Sequence, residues 1–243
     1  MKLLPLVTAL SLSLASVAAL AQAAAPAAAA SAPAFTVRPE VGHALSQAVD
    51  LFKANKPAEA KARIEAAQAA TANATPSEAT VMHRIRGLLQ MQMEQWAEAV
   101  KSLDAAMALN AQLPADTLQC LENLSRAHFN LKAYPAVVAA VQKAQAAGSK
   151  SPQQQAMLVR AVYLQNDYAG TIKLLEAQEK QAPLSLDELR ILASSYGQSK
   201  DDTKYVRVTE RLLSQHGRDE YWPDLLSRVQ RVGTWQPRWD VDL

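Results

Sequence analysis

The sequence predicts an all-α protein in which about five helix–turn–helix units repeat along the chain as a solenoid. Three observations support this fold class. The 243 residues include only 7 glycines and 5% aromatic residues, and a chain poor in both but rich in alanine and glutamine favours helices over strands. Five segments share one pattern, in which a turn is followed by an amphipathic helix. These segments recur at nearly regular intervals close to the length of a helical hairpin, which is typical of helical repeat proteins.

Residues 1–23 are predicted to be a cleaved secretory signal peptide. Lys2 precedes an apolar run, Leu3–Leu20, and Ala21–Ala23 has the small-x-small form of a cleavage site. Serine and threonine residues dilute the run and no charge closes it, which favours export over a transmembrane anchor. No cysteine follows the run, so a lipoprotein anchor is not expected. We therefore expect a periplasmic or secreted protein with no stable membrane span after cleavage.

Residues 24–39 are predicted to be an alanine- and proline-rich linker, and residues 40–217 to hold the repeats. Apolar residues at three- and four-residue spacing predict a helix before each turn. Helix caps are predicted at Ser151 and Ser185. Prolines between the units end one helix and permit the next, and they are Pro76, Pro114, Pro152 and Pro183. One position recurs in the second helix of every unit, and its residues are Ala60, Ala99, Val137, Thr171 and Tyr205.

This pattern resembles the tetratricopeptide repeat (TPR) family. In that family a unit of about 34 residues forms two helices, with small and large residues in a fixed order. Gly87 matches the small residue of the first helix in the second unit, and Ala99 and Ala106 follow in the pattern. Thr171 and Tyr205 stand where alanine is expected, and the first two intervals are longer than the unit of the family. The resemblance implies a right-handed α-solenoid whose first helices line a concave groove. A plain helical bundle, which would bury the same apolar stripes, is the competing interpretation.

Residues 218–243 are predicted to form a capping helix and an aromatic tail. Stacked repeats leave the apolar face of the last unit open to water unless something covers it. The segment EYWPDLLSRVQRV places five apolar residues on one helical stripe, and they are Trp222, Leu225, Leu226, Val229 and Val232. Trp235 and Trp239 follow in the tail, which either completes this cap or binds a partner. The need to cover the array favours the cap.

The sequence carries no motif for catalysis, and we expect no enzyme activity, no cofactor and no bound metal. Its four histidines lack the spacing of metal ligands, and the lone Cys120 is expected to be a buried apolar residue. The glycines are isolated, so no glycine-rich phosphate loop is present. The formal net charge of +2 is not the excess that is typical of nucleic-acid-binding proteins. We therefore expect no nucleic-acid partner.

The first helices supply the candidate residues for a partner-binding groove. By the phase of the family they are Arg84, Met91, Gln92, Glu122, Asn123, Arg126, Asn130, Arg160, Tyr163 and Arg190. Arg126 and Arg160 are one repeat period apart and are expected to share a face. Arginine binds carboxylates in a bidentate geometry, so the groove suits an acidic or carboxylate-ended peptide. Glu122 is four residues before Arg126, which also allows an ion pair on the helix surface. Charged side chains on repeat helices are often only solvated.

The resemblance extends to small secreted repeat proteins of Gram-negative bacteria. It implies a non-enzymatic adaptor of the cell envelope that binds a segment of another envelope protein, in a setting such as TonB-type transport or outer-membrane assembly. One alternative is a structural module that self-associates through its repeat ends or its aromatic tail. Another is an accessory subunit of an envelope enzyme.

Overall fold

The computed structural model describes residues 37–70, 73–216 and 222–232, and the regular structure in these ranges is entirely α-helical. Its helices, in chain order, are α1 (Pro39–Lys53), α2 (Pro57–Ala70), α3 (Pro76–Gln92), α4 (Trp96–Ala108), α5 (Pro114–Asn130), α6 (Tyr134–Ala146), α7 (Pro152–Leu164), α8 (Tyr168–Glu179), α9 (Leu186–Gln198), α10 (Asp202–His216) and α11 (Trp222–Val232). None of these helices is long and apolar enough to cross a membrane. The predicted signal peptide, most of the linker and the aromatic tail lie outside the described residues.

The first ten helices form five pairs, which stack in chain order as a solenoid. Three residues join the two helices of every pair. Each second helix packs against its own partner and against the first helix of the following pair, and α11 packs against α10. The helices of each unit contact mainly those of the adjacent units, whereas in a plain helical bundle helices that are distant in the chain share one core. The predicted all-α solenoid of five units is therefore confirmed.

All five turns within the pairs close in the same way. The middle residue of each turn has a positive φ between 57° and 61°, and these residues are Asn55, Glu94, Lys132, Asn166 and Lys200. In the third unit, the Lys132 N–H donates to the Phe129 carbonyl at 3.0 Å and the Ala133 N–H to the His128 carbonyl at 2.9 Å. These two bonds form a Schellman motif at the end of α5. Because the motif recurs in each unit, every pair turns back on itself with similar backbone geometry.

Prolines and side-chain caps begin the first helices as predicted. The Ser151 and Ser185 hydroxyls each accept a backbone N–H three residues later, at 3.4 Å, and Thr75 caps α3 in the same manner. Helices α1 and α5 lack a side-chain cap, and at α5 the capping position is occupied by Leu113, which is exposed. Prolines lie in the first turns of four of the five first helices, at Pro39, Pro76, Pro114 and Pro152.

The five equivalent positions of the second helices are all buried, as their recurrence predicts. A Cβ added to Gly87 would lie 2.7 Å from Leu103 Cγ, so glycine at this position allows α3 and α4 to approach closely. Thr171 is buried in place of the expected alanine because its hydroxyl donates to the Asp167 carbonyl at 2.8 Å. The core of each unit thus follows the repeat, and local hydrogen bonding accommodates this departure.

The capping helix α11 is confirmed, but its contact stripe differs from the prediction. Leu225 is fully buried, whereas Leu226 is 50% exposed, so the predicted place of Leu226 in the stripe is wrong. Successive helical residues point about 100° apart, and both leucines cannot face α10. Arg228 completes the contact: its guanidinium lies 4.0 Å from the centre of the Tyr205 ring and donates to Asp202 at 2.8 Å. A long arginine stem covers apolar surface while its charged end is paired.

Candidate functional site

Helices α1, α3, α5, α7 and α9 form one side of the array, called here the first-helix face. Each of these helices directly contacts the next one in the series. The second helices are joined mainly through the first helices beside them. The first-helix face is therefore continuous across the five units. Repeat arrays offer extended binding surfaces of this kind.

Arg84 joins two helices of the first-helix face. Its Nη2 atom lies 2.7 Å from Asp116 Oδ1 and 3.4 Å from the side-chain oxygen of Gln119, both on α5. Only 16% of the Arg84 side chain is exposed. Removing one member of such a partly buried pair leaves an uncompensated charge, which is costly. This predicted groove residue therefore holds α3 and α5 together.

Arg160 and Arg190 share a single carboxylate, that of Asp187. The closest nitrogens lie 3.2 Å and 3.6 Å from the Asp187 oxygens. Asp187 is exposed, and 51% of the Arg160 side chain is exposed. Exposed ion pairs contribute about 0–1 kcal/mol, so a carboxylate from outside could replace Asp187 at little cost. At the junction of α7 and α9, both arginines therefore lie within ion-pair distance of the Asp187 carboxylate.

Arg126 is exposed on α5, and its guanidinium makes no ion pair with any residue that the structure describes. The pairing with Glu122 that their spacing allows does not form. Glu122 instead accepts a hydrogen bond from the Ser149 hydroxyl at 2.9 Å. The Asn130 side chain donates to the Arg126 carbonyl at 2.9 Å, within α5. Arg126 and Arg160 occupy equivalent positions, so adjacent units each present a guanidinium on the first-helix face.

Asn123 is a largely buried polar residue beside this cationic surface. It is 7% exposed, and its side chain makes no hydrogen bond with any described residue. Polar side chains that are buried to this extent usually have a hydrogen-bond partner. Asn123 precedes Arg126 by three residues, a spacing that places both on one side of α5. It is therefore a candidate for hydrogen bonding to a bound segment.

The remaining candidates divide between packing and the surface. Met91 is buried in the same core cluster as Cys120, so its predicted place on the groove surface is wrong. Its position in α3 faces the neighbouring helices rather than solvent. Tyr163 is half-buried, and its hydroxyl lies 2.7 Å from the Ser194 hydroxyl of α9. Gln92 is exposed at the end of α3.

The third residue of four first helices bonds to the preceding unit, which the sequence reasoning missed. Fully buried Glu78 accepts hydrogen bonds from Arg38 Nε at 2.7 Å and Nη2 at 2.9 Å. These bonds lower the pKa of Glu78 to about 2. The signal that could have revealed the feature is the repeat itself, because the third residue of α3, α5, α7 and α9 is acidic or an amide in every case. The corresponding pairs in later units are Arg84–Asp116, Ser125–Gln154 and Gln178–Glu188.

Comparison with known proteins identifies this architecture. No family model and no curated protein sequence matches the chain. A tetratricopeptide repeat protein from Parabacteroides merdae matches it with a TM-score of 0.61 and 13% identity, over 82% of each chain. YrrB, described as a TPR protein with an unusual peptide-binding site, matches with a TM-score of 0.57 and 12% identity, over 79% of this chain and 91% of its own. The pilF protein of Pseudomonas aeruginosa matches with a TM-score of 0.52 and 12% identity, over 77% of this chain and 81% of its own. The chain has the tetratricopeptide-repeat fold.

The tetratricopeptide-repeat array buries several of its titratable groups. Burial raises the pKa of the Cys120 thiol to about 12, so it has little thiolate to react at neutral pH. Burial also lowers the pKa values of His83 and His128. Within the described ranges, no three His, Cys, Asp or Glu side chains are grouped so that they could hold a metal ion. Arg126 and Asn123 are polar residues of the first-helix face whose side chains make no hydrogen bond or ion pair with a described residue.

Proposed function

We propose that this chain is a non-enzymatic protein–protein interaction adaptor whose first-helix face binds a carboxylate-bearing segment of another protein. The observation that carries the proposal is the pair of exposed arginines on adjacent units. Arg126 has no ion-pair partner among the described residues, and Arg160 has only exposed Asp187. Guanidinium groups bind carboxylates through paired hydrogen bonds. YrrB, which shares the fold, is described as having a peptide-binding site, and this supports the choice of ligand class.

The binding proposal is tested by reversing both charges, Arg126→Glu with Arg160→Glu. Crosslinking in the native cells, followed by mass spectrometry, identifies the captured partner, and its affinity is then measured for each variant. A hydrogen bond to a charged group contributes about 1.5–3 kcal/mol, so we expect affinity to fall about tenfold or more per arginine.

The matched control reverses two exposed lysines of the second helices, Lys143→Glu with Lys173→Glu. It changes the net charge equally but leaves the first-helix face intact. Partner affinity should stay at the wild-type level in the control, and the circular dichroism of both double variants should match the wild type. Equal capture by the two double variants would refute the proposed binding face.

We also propose that the adaptor works in the bacterial cell envelope. The support is residues 1–23, whose basic start, apolar run and small-x-small end have the pattern of a signal peptide. An envelope complex such as a TonB-type transport system is the setting that the resemblance implies. The full chain is expressed in a Gram-negative host, the cells are fractionated, and the mass of the recovered protein is measured. We expect a periplasmic form that begins near residue 24. Recovery of the uncut chain in the cytoplasm would contradict this location.

A further inference from the structure

A row of five residues, one from each unit, follows the middle of the first-helix face. The row is Val49, Leu88, Arg126, Arg160 and Ser194. The intervals between them equal, one for one, the intervals between the buried equivalent positions of the second helices, so the five residues have the same register in their helices. Two of them contact a neighbouring first helix: Arg160 reaches Asp187 on α9, and Ser194 lies against Tyr163 on α7.

The chemistry of the row changes from one end to the other. Val49 and Leu88 are half-buried apolar residues, and neither belongs to a core cluster within the described residues. Arg126 and Arg160 are exposed cations, and Ser194 is a small polar residue. The row is therefore apolar in the first two units and cationic in the next two.

From this order we infer that the bound segment carries its apolar side chains and its carboxylates in separate halves. The inference rests on the proposed function and specifies the chemistry of the partner. A carboxylate opposite Leu88 would lose water without gaining a partner, and an apolar side chain opposite Arg126 would desolvate a cation. Both arrangements are unfavourable, whereas a segment whose halves are sorted in the order of the row satisfies all four positions.

The spacing of the units sets the spacing of the ligand residues. Packed helices lie about 8–10 Å apart, and an extended chain advances about 3.3 Å per residue. Successive row positions therefore meet ligand residues about three apart. The expected segment reads apolar-x-x-apolar-x-x-acidic-x-x-acidic in either chain direction.

Two synthetic ten-residue peptides of identical composition test the inference. The segregated peptide has the order Leu, Leu, Glu, Glu at three-residue spacing, and the interleaved peptide has the order Leu, Glu, Leu, Glu. In every register the interleaved peptide places at most one carboxylate beside an arginine of the row. We expect fluorescence anisotropy to show at least tenfold tighter binding of the segregated peptide.

An exchange variant, Leu88→Arg with Arg126→Leu, converts the row itself to an interleaved order. Its preference should switch to the interleaved peptide, and circular dichroism should confirm that it folds. If this variant does not fold, Arg126→Gln, at an exposed position, should narrow the difference between the two peptides. Equal binding of both peptides by the wild-type protein, abolished in the Arg126→Glu and Arg160→Glu double variant, would overturn the inference and leave the adaptor proposal standing. Failure of the segregated peptide to bind would also overturn the inference, and the capture experiment would then decide the adaptor proposal separately.

Discussion

The ion pair between Arg38 and Glu78 joins the first unit to the second, and Glu78→Gln removes its charge with little change of shape. The Glu78 carboxylate accepts from Arg38 Nε, Nη2 and backbone N at 2.7, 2.9 and 2.9 Å. It also accepts from the Thr75 backbone N–H at 2.9 Å. One side chain therefore caps α3 and binds the residue that precedes α1.

The expected loss of stability follows from the burial of the two partners. Removing one member of a buried ion pair costs about 3–5 kcal/mol. Glu78 is fully buried, but 44% of the Arg38 side chain is exposed, so the released guanidinium regains part of its hydration. Glutamine also keeps one acceptor oxygen. We therefore expect Glu78→Gln to lower the free energy of unfolding by about 2–3 kcal/mol at pH 7.

Urea unfolding, followed by circular dichroism at several pH values, measures this loss. Hydrogen bonds from Arg38 lower the pKa of Glu78 from its usual 4.5 to about 2 in the folded protein. The unfolded chain then binds the proton more tightly, so stability rises with pH between these two values. The difference between wild type and Glu78→Gln should be complete above pH 4.5 and should shrink as the pH falls toward 2.

Glu65→Gln is the matched control, because Glu65 is exposed and lies 4.0 Å from Lys61 on the same helix. Exposed pairs of this type contribute about 0.3–0.5 kcal/mol. A loss for Glu78→Gln no larger than that of the control, or a difference that does not depend on pH, would refute the reasoning.

Three further predictions concern the stability of single elements. Leu113→Thr should raise the free energy of unfolding by about 1 kcal/mol, because it supplies the missing side-chain cap of α5. If urea unfolding shows no increase in this free energy, the backbone at residue 113 cannot form the cap. Gly87→Ala should cost about 1–3 kcal/mol because its Cβ would collide with Leu103. Gly42→Ala, with nothing within 4 Å, should instead gain about 0.5–1 kcal/mol, and equal effects of the two alanines would contradict the packing argument. Arg228→Ala should speed hydrogen exchange in α11 and leave the exchange rates of α3 and α4 unchanged. An equal increase in all three helices would mean that Arg228 does not stabilise α11 locally.

The units and their register could be predicted from the sequence because they depend on residues that repeat. Buried small residues recur at the same position, and residues such as Ser185 and Pro152 mark helix starts through local backbone chemistry. Local sequence patterns do not reveal which residue of another helix lies opposite a given side chain. Arg84 and Asp116 lie in different units and are distant in the chain, and only the stacking of α3 on α5 brings them together. The error at Leu226 has a similar origin, since hydropathy alone does not show that an arginine stem covers Tyr205.

The four arginines of the predicted groove differ in how far they can serve a ligand. Arg84 is committed to Asp116, so its charge belongs to the structure of the array. Arg160 is balanced by exposed Asp187, which also lies beside Arg190. A carboxylate that binds Arg160 therefore competes with a carboxylate already present on the protein.

Arg126 has no such competitor among the described residues. Affinity for a carboxylate should consequently depend more on Arg126 than on any other arginine, and the neighbouring amide of Asn123 adds a hydrogen-bonding group at the same unit. At the third unit of the first-helix face, an exposed charge and an amide that make no side-chain hydrogen bond or ion pair with the described residues thus lie together.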